Sequence, residues 1–143
     1  MAEKIITGNR CLLDTSALVS LIDKSDVAHG RVKQSFERTG QNFFSTIAVI
    51  TEALHLLSRV KNATNICLDY VLTGVVELFP LEKPDLSRIK TLMAKYADIP
   101  MDFADATLVV VAEEMGIDTI MTLDRRGFEA YRMLGSKSFI ILP

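Results

Sequence analysis

The sequence predicts an α/β protein, a three-layer α/β/α arrangement around a mainly parallel central sheet, with residues 1–143 forming a single domain. Three observations predict it. Strand-like and helix-like runs alternate from end to end with no linker, repeat or low-complexity stretch, which is the grammar of βαβ units. Helical segments between successive strand-like runs exclude a meander of hairpins and leave helices to cover both sheet faces. At 143 residues, 49% hydrophobic and 24% charged, the chain has the size for one core and the balance of an ordered soluble protein.

The elements follow in order. A short strand is expected at 10–14, after which Thr15 or Ser16 can cap a helix through ALVSLI. A second helix at 27–38 carries Val32 and Phe36 at i,i+4 with charges opposite, and Gly40 breaks it. The β-like piece NFFS leads into a strongly apolar helix at 47–60. Asn62 or Thr64 opens another helix, which stops near Gly74. VVELFPL reads as a strand, and Pro84 with Asp85 suits the first turn of the helix LSRIKTLMAKYA. Pro100 precedes a helix at 102–115, closed by Gly116. A strand (DTIMTL), a short helix (GFEAYRML) and a terminal strand (FIIL) complete the chain.

Within this framework four carboxylates interrupt or end apolar runs: Asp14 in CLLDTSAL, Glu52 in IAVITEALHLL, Asp105 in DFADATLVVVA and Asp124 in TIMTLDRR. An isolated ionised carboxylate taken out of water costs several kcal/mol, so buried acids are paired or placed on a metal. Few Lys or Arg lie inside these segments to pair with them. The economical reading is convergence on a divalent cation. Asp14 and Asp124 stand at the carboxyl ends of predicted strands, where open parallel sheets bind ligands. Period-two alternation puts Leu12, Asp14 and, with continued extension, Ser16 on one side, and Thr122 with Asp124 likewise. The apolar neighbours of Glu52 point in nearly every direction around its helix, which favours a place in the interior. Asp102 and Asp105 share a helical face and repel one another unless a cation or proton lies between them. Asp102 reads equally as an N-cap, which makes Asp105 the better ligand.

Carboxylates without a Cys or His cluster suit Mg²⁺ or Mn²⁺ rather than structural zinc. Such ions activate water and stabilise charge on phosphate oxygens, so phosphodiester hydrolysis follows more naturally than redox or acyl chemistry. GxGxxG, GxxxxGK[ST] and GxSxG are all absent. The formal charge of −2 excludes no partner class; setting five acids of the 18 aside leaves 13 against 16 Lys and Arg, permissive for a polyanion. Cys11 and Cys67 read as reduced packing residues. MAEKIITGNR lacks a signal-peptide core and no run reaches the length of a membrane span, so a cytoplasmic protein with no membrane partner is expected.

The order of acids in LLDTSAL, ITEALHLL, PMDFADATLVVVAEEMG and TLDRRGFEAYR resembles a PIN domain, in particular a VapC-type toxin ribonuclease of a prokaryotic toxin–antitoxin pair. The resemblance covers essentially the whole chain. It implies a PIN-like fold and an acidic quartet of Asp14, Glu52, Asp105 and Asp124, with Asp102 as a fifth acid. It further implies Mg²⁺- or Mn²⁺-dependent cleavage of RNA, a homodimer, and inhibition by a small antitoxin whose tail occupies the acidic groove.

Other residues read more blandly. His55, three residues after Glu52, reads first as a packed, hydrogen-bonded residue and second as a support to the site. Arg125 and Arg126 are solvent-facing by default, with phosphate contact as the alternative. Ser16, Thr46 and Thr122 are supporting hydroxyls, Ser16 and Thr46 equally good caps. Two other functions compete. A haloacid-dehalogenase-type phosphatase would use Asp14 as nucleophile, but Ser16 stands where its second acid belongs. A non-catalytic binding module would offer the same acids to a basic peptide.

Overall fold

The computed structural model describes residues 9–40 and 42–143. The reading of the first ten residues as lacking a signal-peptide core falls mainly on 1–8, outside the described residues. In Arg10–Leu13 (β1), Cys11, Leu12 and Leu13 are fully buried, so both faces of the strand are covered, as in the middle of a parallel sheet. The other strands are Asn42–Ser45 (β2), Val76–Leu78 (β3), Thr119–Met121 (β4) and Ile140–Leu142 (β5). They form one five-stranded sheet in the order β3-β2-β1-β4-β5, every pairing parallel. The chain builds outward from β1 to β2 and β3, then returns to lay β4 and β5 on the other side. The boundary between β1 and β4, in register as Leu12↔Ile120 and Leu13↔Met121, is therefore the topological switch point of the sheet.

The helices among the described residues are Thr15–Ile22 (α1), His29–Arg38 (α2), Ile47–Leu56 (α3), Ala63–Leu72 (α4), Lys83–Lys95 (α5), Phe103–Met115 (α6) and Arg125–Ala130 (α7). None is long and apolar enough to cross a membrane. Helix α6 is buried at every position from Ala104 to Ala112, which makes it the central helix of the core and explains its unbroken apolar run. Its left-handed terminus at Gly116 (φ 67°) is a conformation that favours glycine. The Arg10 guanidinium donates to the Met115 carbonyl at 2.8 Å, tying β1 to that end of α6. Cys11 and Cys67 are buried free thiols, as expected of packing residues.

Several boundaries differ from the pattern-based expectation for local reasons. Helix α2 starts two residues late, because the Asp26 carboxylate accepts from Ala28 N at 2.9 Å and its carbonyl from His29 N at 3.0 Å, holding a turn with Val27 in solvent. Helix α3 stops at Leu56 rather than 60; the following bonds, Ser58 N to His55 O and Val60 N to Leu57 O, span three residues and tighten the chain out of the α-helix. Asn62, in the left-handed region at φ 62°, precedes α4. Helix α7 begins at Arg125, ahead of Gly127, and ends early, because residues 133–137 fold back as a bridge between Met133 and Lys137, with Leu134 and Gly135 at positive φ.

Leu108 is wholly buried in α6. Leu108→Ala is expected to cost about 3 kcal/mol, the transfer term plus a cavity term, read as a shift of the urea midpoint. A loss under about 1 kcal/mol would mean the centre of the core lies elsewhere.

Candidate active site

Asp14 directly follows β1. Its amide extends the ladder to Met121 O at 3.0 Å, while its side chain turns to start α1, Oδ1 accepting from Thr15 N at 2.8 Å. Asp14 itself, not Thr15 or Ser16, is the cap. Ser16 consequently lies in α1 rather than on an extended strand, yet it still reaches the same place. Its hydroxyl accepts from Leu123 N at 2.9 Å and lies 3.2 Å from Thr122 Oγ1 and 3.5 Å from Asp14 Oδ2.

Thr122, one residue past β4, is the junction of the two strand ends. Its hydroxyl donates to Asp14 Oδ2 at 2.7 Å and accepts from Asp124 N at 2.9 Å. A hydroxyl has one proton and two acceptor positions, so both bonds, with Ser16 as donor to the second position, satisfy it. Asp124 then caps α7, accepting from Gly127 N at 3.2 Å. Across the site, Asp102 and Asp105 form a reciprocal cap at the start of α6: Asp105 N donates to Asp102 Oδ1 at 2.7 Å, and Asp102 N to Asp105 Oδ2 at 3.2 Å. The relative setting of α3 and α6 is held by a buried hydroxyl pair, Thr46 Oγ1 and Thr107 Oγ1 at 2.8 Å. Since Thr107 also donates to Ala104 O at 2.6 Å, Thr46 is the donor within the pair. Thr46 is thus a cap and a strut, remote in role from the acids.

Asp14, Glu52, Asp102, Asp105 and Asp124 line one depression of about 260 Å³, together with Ser16 and Leu56. Their burial is uneven. Asp14 and Asp105 are 4% and 8% exposed, whereas Glu52 is half-buried and Asp102 and Asp124 are exposed. The expectation that Glu52 lacks an open face is corrected: α3 leaves Ile47 61% and Leu56 57% exposed, so its apolar surface continues out to solvent around the acid. His55 is also exposed rather than packed, and with Ile47, Glu52 and Phe103 lines a larger apolar hollow of about 620 Å³ beside the acids. Arg125 pairs within its own helix with Glu129 at 3.3 Å, and Arg126 is exposed.

Two groups missed by pattern reading touch the cluster. The buried Tyr131 hydroxyl donates to Asp105 Oδ2 at 3.4 Å. Gly127 leaves room where a Cβ would come within 2.7 Å of Asp124 Oδ2 and 3.0 Å of Tyr131 Oη. The available signal was a glycine three residues after Asp124 and a tyrosine one turn further on.

Burial pushes the Asp14 carboxyl up to about 6, against the opposing hydrogen bonds from Thr122 and Thr15; the charges of Asp102 and Asp124 add to the rise. Asp105 is pushed up to about 8, again by burial first and then by Asp14 and Asp102. Burial, with the charges of Asp105 and Asp124, raises the Tyr131 phenol as well. Among the described residues no three acidic, histidine or cysteine side chains already close into a metal cage. The donor chemistry nonetheless fits a hard divalent cation: it is all oxygen, two of its carboxylates are buried in one another's field, and a cation there relieves both burdens.

A family model of the PIN domain matches residues 11–133. The chain is 30% identical over 134 residues to Ribonuclease VapC26 of Mycobacterium tuberculosis, across 92% of this chain and 99% of that protein. It also shares its fold with the crystal structure of Mycobacterium tuberculosis VapC20, described as a Sarcin-Ricin loop cleaving toxin, at a TM-score of 0.75 and 20% identity over 80% of this chain and 90% of that one.

Proposed function

From the premise that this chain belongs to the PIN-domain family, we propose that it is a ribonuclease toxin of a toxin–antitoxin pair, hydrolysing RNA phosphodiester bonds with Mg²⁺ or Mn²⁺ at the acidic depression. The observation that carries this reading is the meeting of Asp14, Glu52, Asp102, Asp105 and Asp124 in one depression at the switch point of a parallel sheet. The relative named Ribonuclease VapC26, matched almost end to end, supports the substrate class. Ser16, engaged with Thr122 and Leu123 N, puts a neutral hydroxyl where a phosphatase of the dehalogenase type would need an acid, and so favours the nuclease.

In this reading Asp14, Asp105 and Asp124 hold the cation, with Glu52 and Asp102 completing the anionic shell. When bound, the cation supplies Lewis-acid activation of water and charge stabilisation on the phosphate. The protein's own residues do the rest. Thr122 and Ser16 keep the Asp14 carboxylate and the Asp124 backbone in fixed register, so the acids are presented without rearrangement. Exposed Asp102 and Asp124, with half-buried Glu52 lining both the depression and the apolar hollow, leave the rim open to a long polymer rather than sealing a small substrate inside. A single domain, a homodimer, a cytoplasmic location and a small antitoxin whose basic tail lies against the acids complete the proposal.

The test is incubation of the purified chain with structured RNA. Discrete internal cuts are expected in Mg²⁺ or Mn²⁺, with none in excess EDTA and none after addition of a small antitoxin that binds the chain. Undiminished cleavage in EDTA overturns the metal assignment; no cleavage in any ion overturns the ribonuclease.

A further inference from the structure

We infer that Tyr131 is a positioning residue for the cation site, setting the Asp105 carboxylate and locking it to the segment that carries Asp124. The inference rests on the metal reading of the depression given above.

Helix α7 is a single short unit with the site at both ends. Asp124 caps its start, accepting from Gly127 N at 3.2 Å, and Tyr131 stands at its close, its amide bonded to Gly127 O at 3.0 Å. The Tyr131 hydroxyl crosses to α6 and donates to Asp105 Oδ2, 26 positions earlier in the chain. That oxygen also accepts from Asp102 N. Both donors therefore fall on Oδ2, leaving Oδ1 without a donor among the described residues and available as a ligand. The phenol ring itself is fixed. Tyr96 and Phe128 meet it edge-on with centroids 5.1 and 5.0 Å away, and Tyr96 is held in turn by Arg132 N donating to its hydroxyl at 3.0 Å.

Gly127 is what allows the approach. A Cβ there would press on both Asp124 Oδ2 and Tyr131 Oη, so the absence of a side chain lets the Asp124 carboxylate and the phenol share one side of the short helix. A buried tyrosine hydroxyl needs an acceptor of some kind, and a backbone carbonyl would serve that purpose alone. Here the acceptor is a buried carboxylate of the cluster, and the donor rides on the element that presents a second member. Hydrogen bonds of this sort orient ligands and are worth about 10- to 100-fold in metal affinity.

The test uses the full chain with Mn²⁺ as the probe, bound ion being counted by electron paramagnetic resonance. Tyr131→Phe keeps the ring and removes only the hydroxyl. It is expected to raise the Mn²⁺ dissociation constant about tenfold, to leave the melting temperature close to that of the parent, and to recover RNA cleavage at saturating Mn²⁺. In an Asp105→Asn background the same change is expected to do nothing further to Mn²⁺ binding, since the amide oxygen keeps the two bonds made at Oδ2, its NH₂ takes the ligand position, and no carboxylate is left for the hydroxyl to set. Equal Mn²⁺ affinity in Tyr131→Phe and parent overturns the inference while sparing the metal site. So does a loss that persists undiminished beside Asp105→Asn, because the hydroxyl would then act through general packing. A parent chain that binds no Mn²⁺ removes the metal reading and this inference together.

Discussion

Asp14→Asn is expected to lower RNA cleavage by on the order of 10³-fold in a chain that remains folded. The size of the effect follows from place: Asp14 lies at the switch point, is 4% exposed, and its carboxylate accepts from the Thr122 hydroxyl. The fold tolerates the change because its hydrogen bonds can be redrawn. The amide oxygen still accepts from Thr15 N, and the new NH₂ meets a Thr122 hydroxyl that can turn to donate toward Ser16. Removing a buried charge from the field of Asp102, Asp105 and Asp124 also relieves the metal-free protein, so its melting temperature at pH 8 is expected to hold or rise. Cleavage within tenfold of the parent would remove Asp14 from the reaction; an unfolded variant would mean its carboxylate is structural.

The second large effect is a dependence of stability on pH that reverses with metal. Asp14 is raised to about 6 and Asp105 to about 8 in the folded protein, both above the ordinary carboxylate value. Each group binds its proton more tightly folded than unfolded, so its stabilising contribution is complete below pH 4 and is lost as pH climbs through the folded values. In EDTA the melting temperature is therefore expected to fall between pH 5 and pH 8, by on the order of 5 °C or more. Glu113 and Asp85, whose carboxyls are lowered by Arg88 and by neighbouring hydrogen bonds, act in the opposite sense, but only at more acid pH. Millimolar Mn²⁺ at pH 8 is expected to recover the loss, because a ligand bound only by the folded state stabilises it by mass action. A melting temperature in EDTA that stays flat or rises from pH 5 to pH 8 would show that these acids are not held in a shared unfavourable field.

Much of this arrangement is legible in the amino-acid order. The parallel sheet follows from alternation of element types, and Asp14 and Asp124 lie beyond the carboxyl ends of β1 and β4, Asp14 directly after its strand and Asp124 three residues past the last residue of β4. Asp105 was readable from an apolar run that leaves it nowhere exposed to go. Local pattern loses its grip where a side chain has two competing uses. Asp14 is cap and site residue at once, so the cap falls one or two residues ahead of the expected Thr15 or Ser16, and Ser16, which would share a side with Asp14 only if extension continued, lies within α1. Glu52 and His55 misled in the other direction. An apolar helix ordinarily packs all round, but α3 sits at the edge of the site and keeps Ile47 and Leu56 in solvent. Tyr131 is harder to read for a different reason: Gly127 hints at a close approach, but the partner, Asp105, lies 26 positions earlier in the chain and meets the hydroxyl only in the folded protein.

The bond from Thr122 to Asp14 joins positions 108 residues apart. A loop of that length must be closed against its entropy before Asp14 and Asp124 can stand side by side. Without β4 and the residues that follow it, Asp14 has neither the Thr122 hydroxyl nor Asp124 beside it, so the acidic depression is a product of the folded sheet and of no shorter segment.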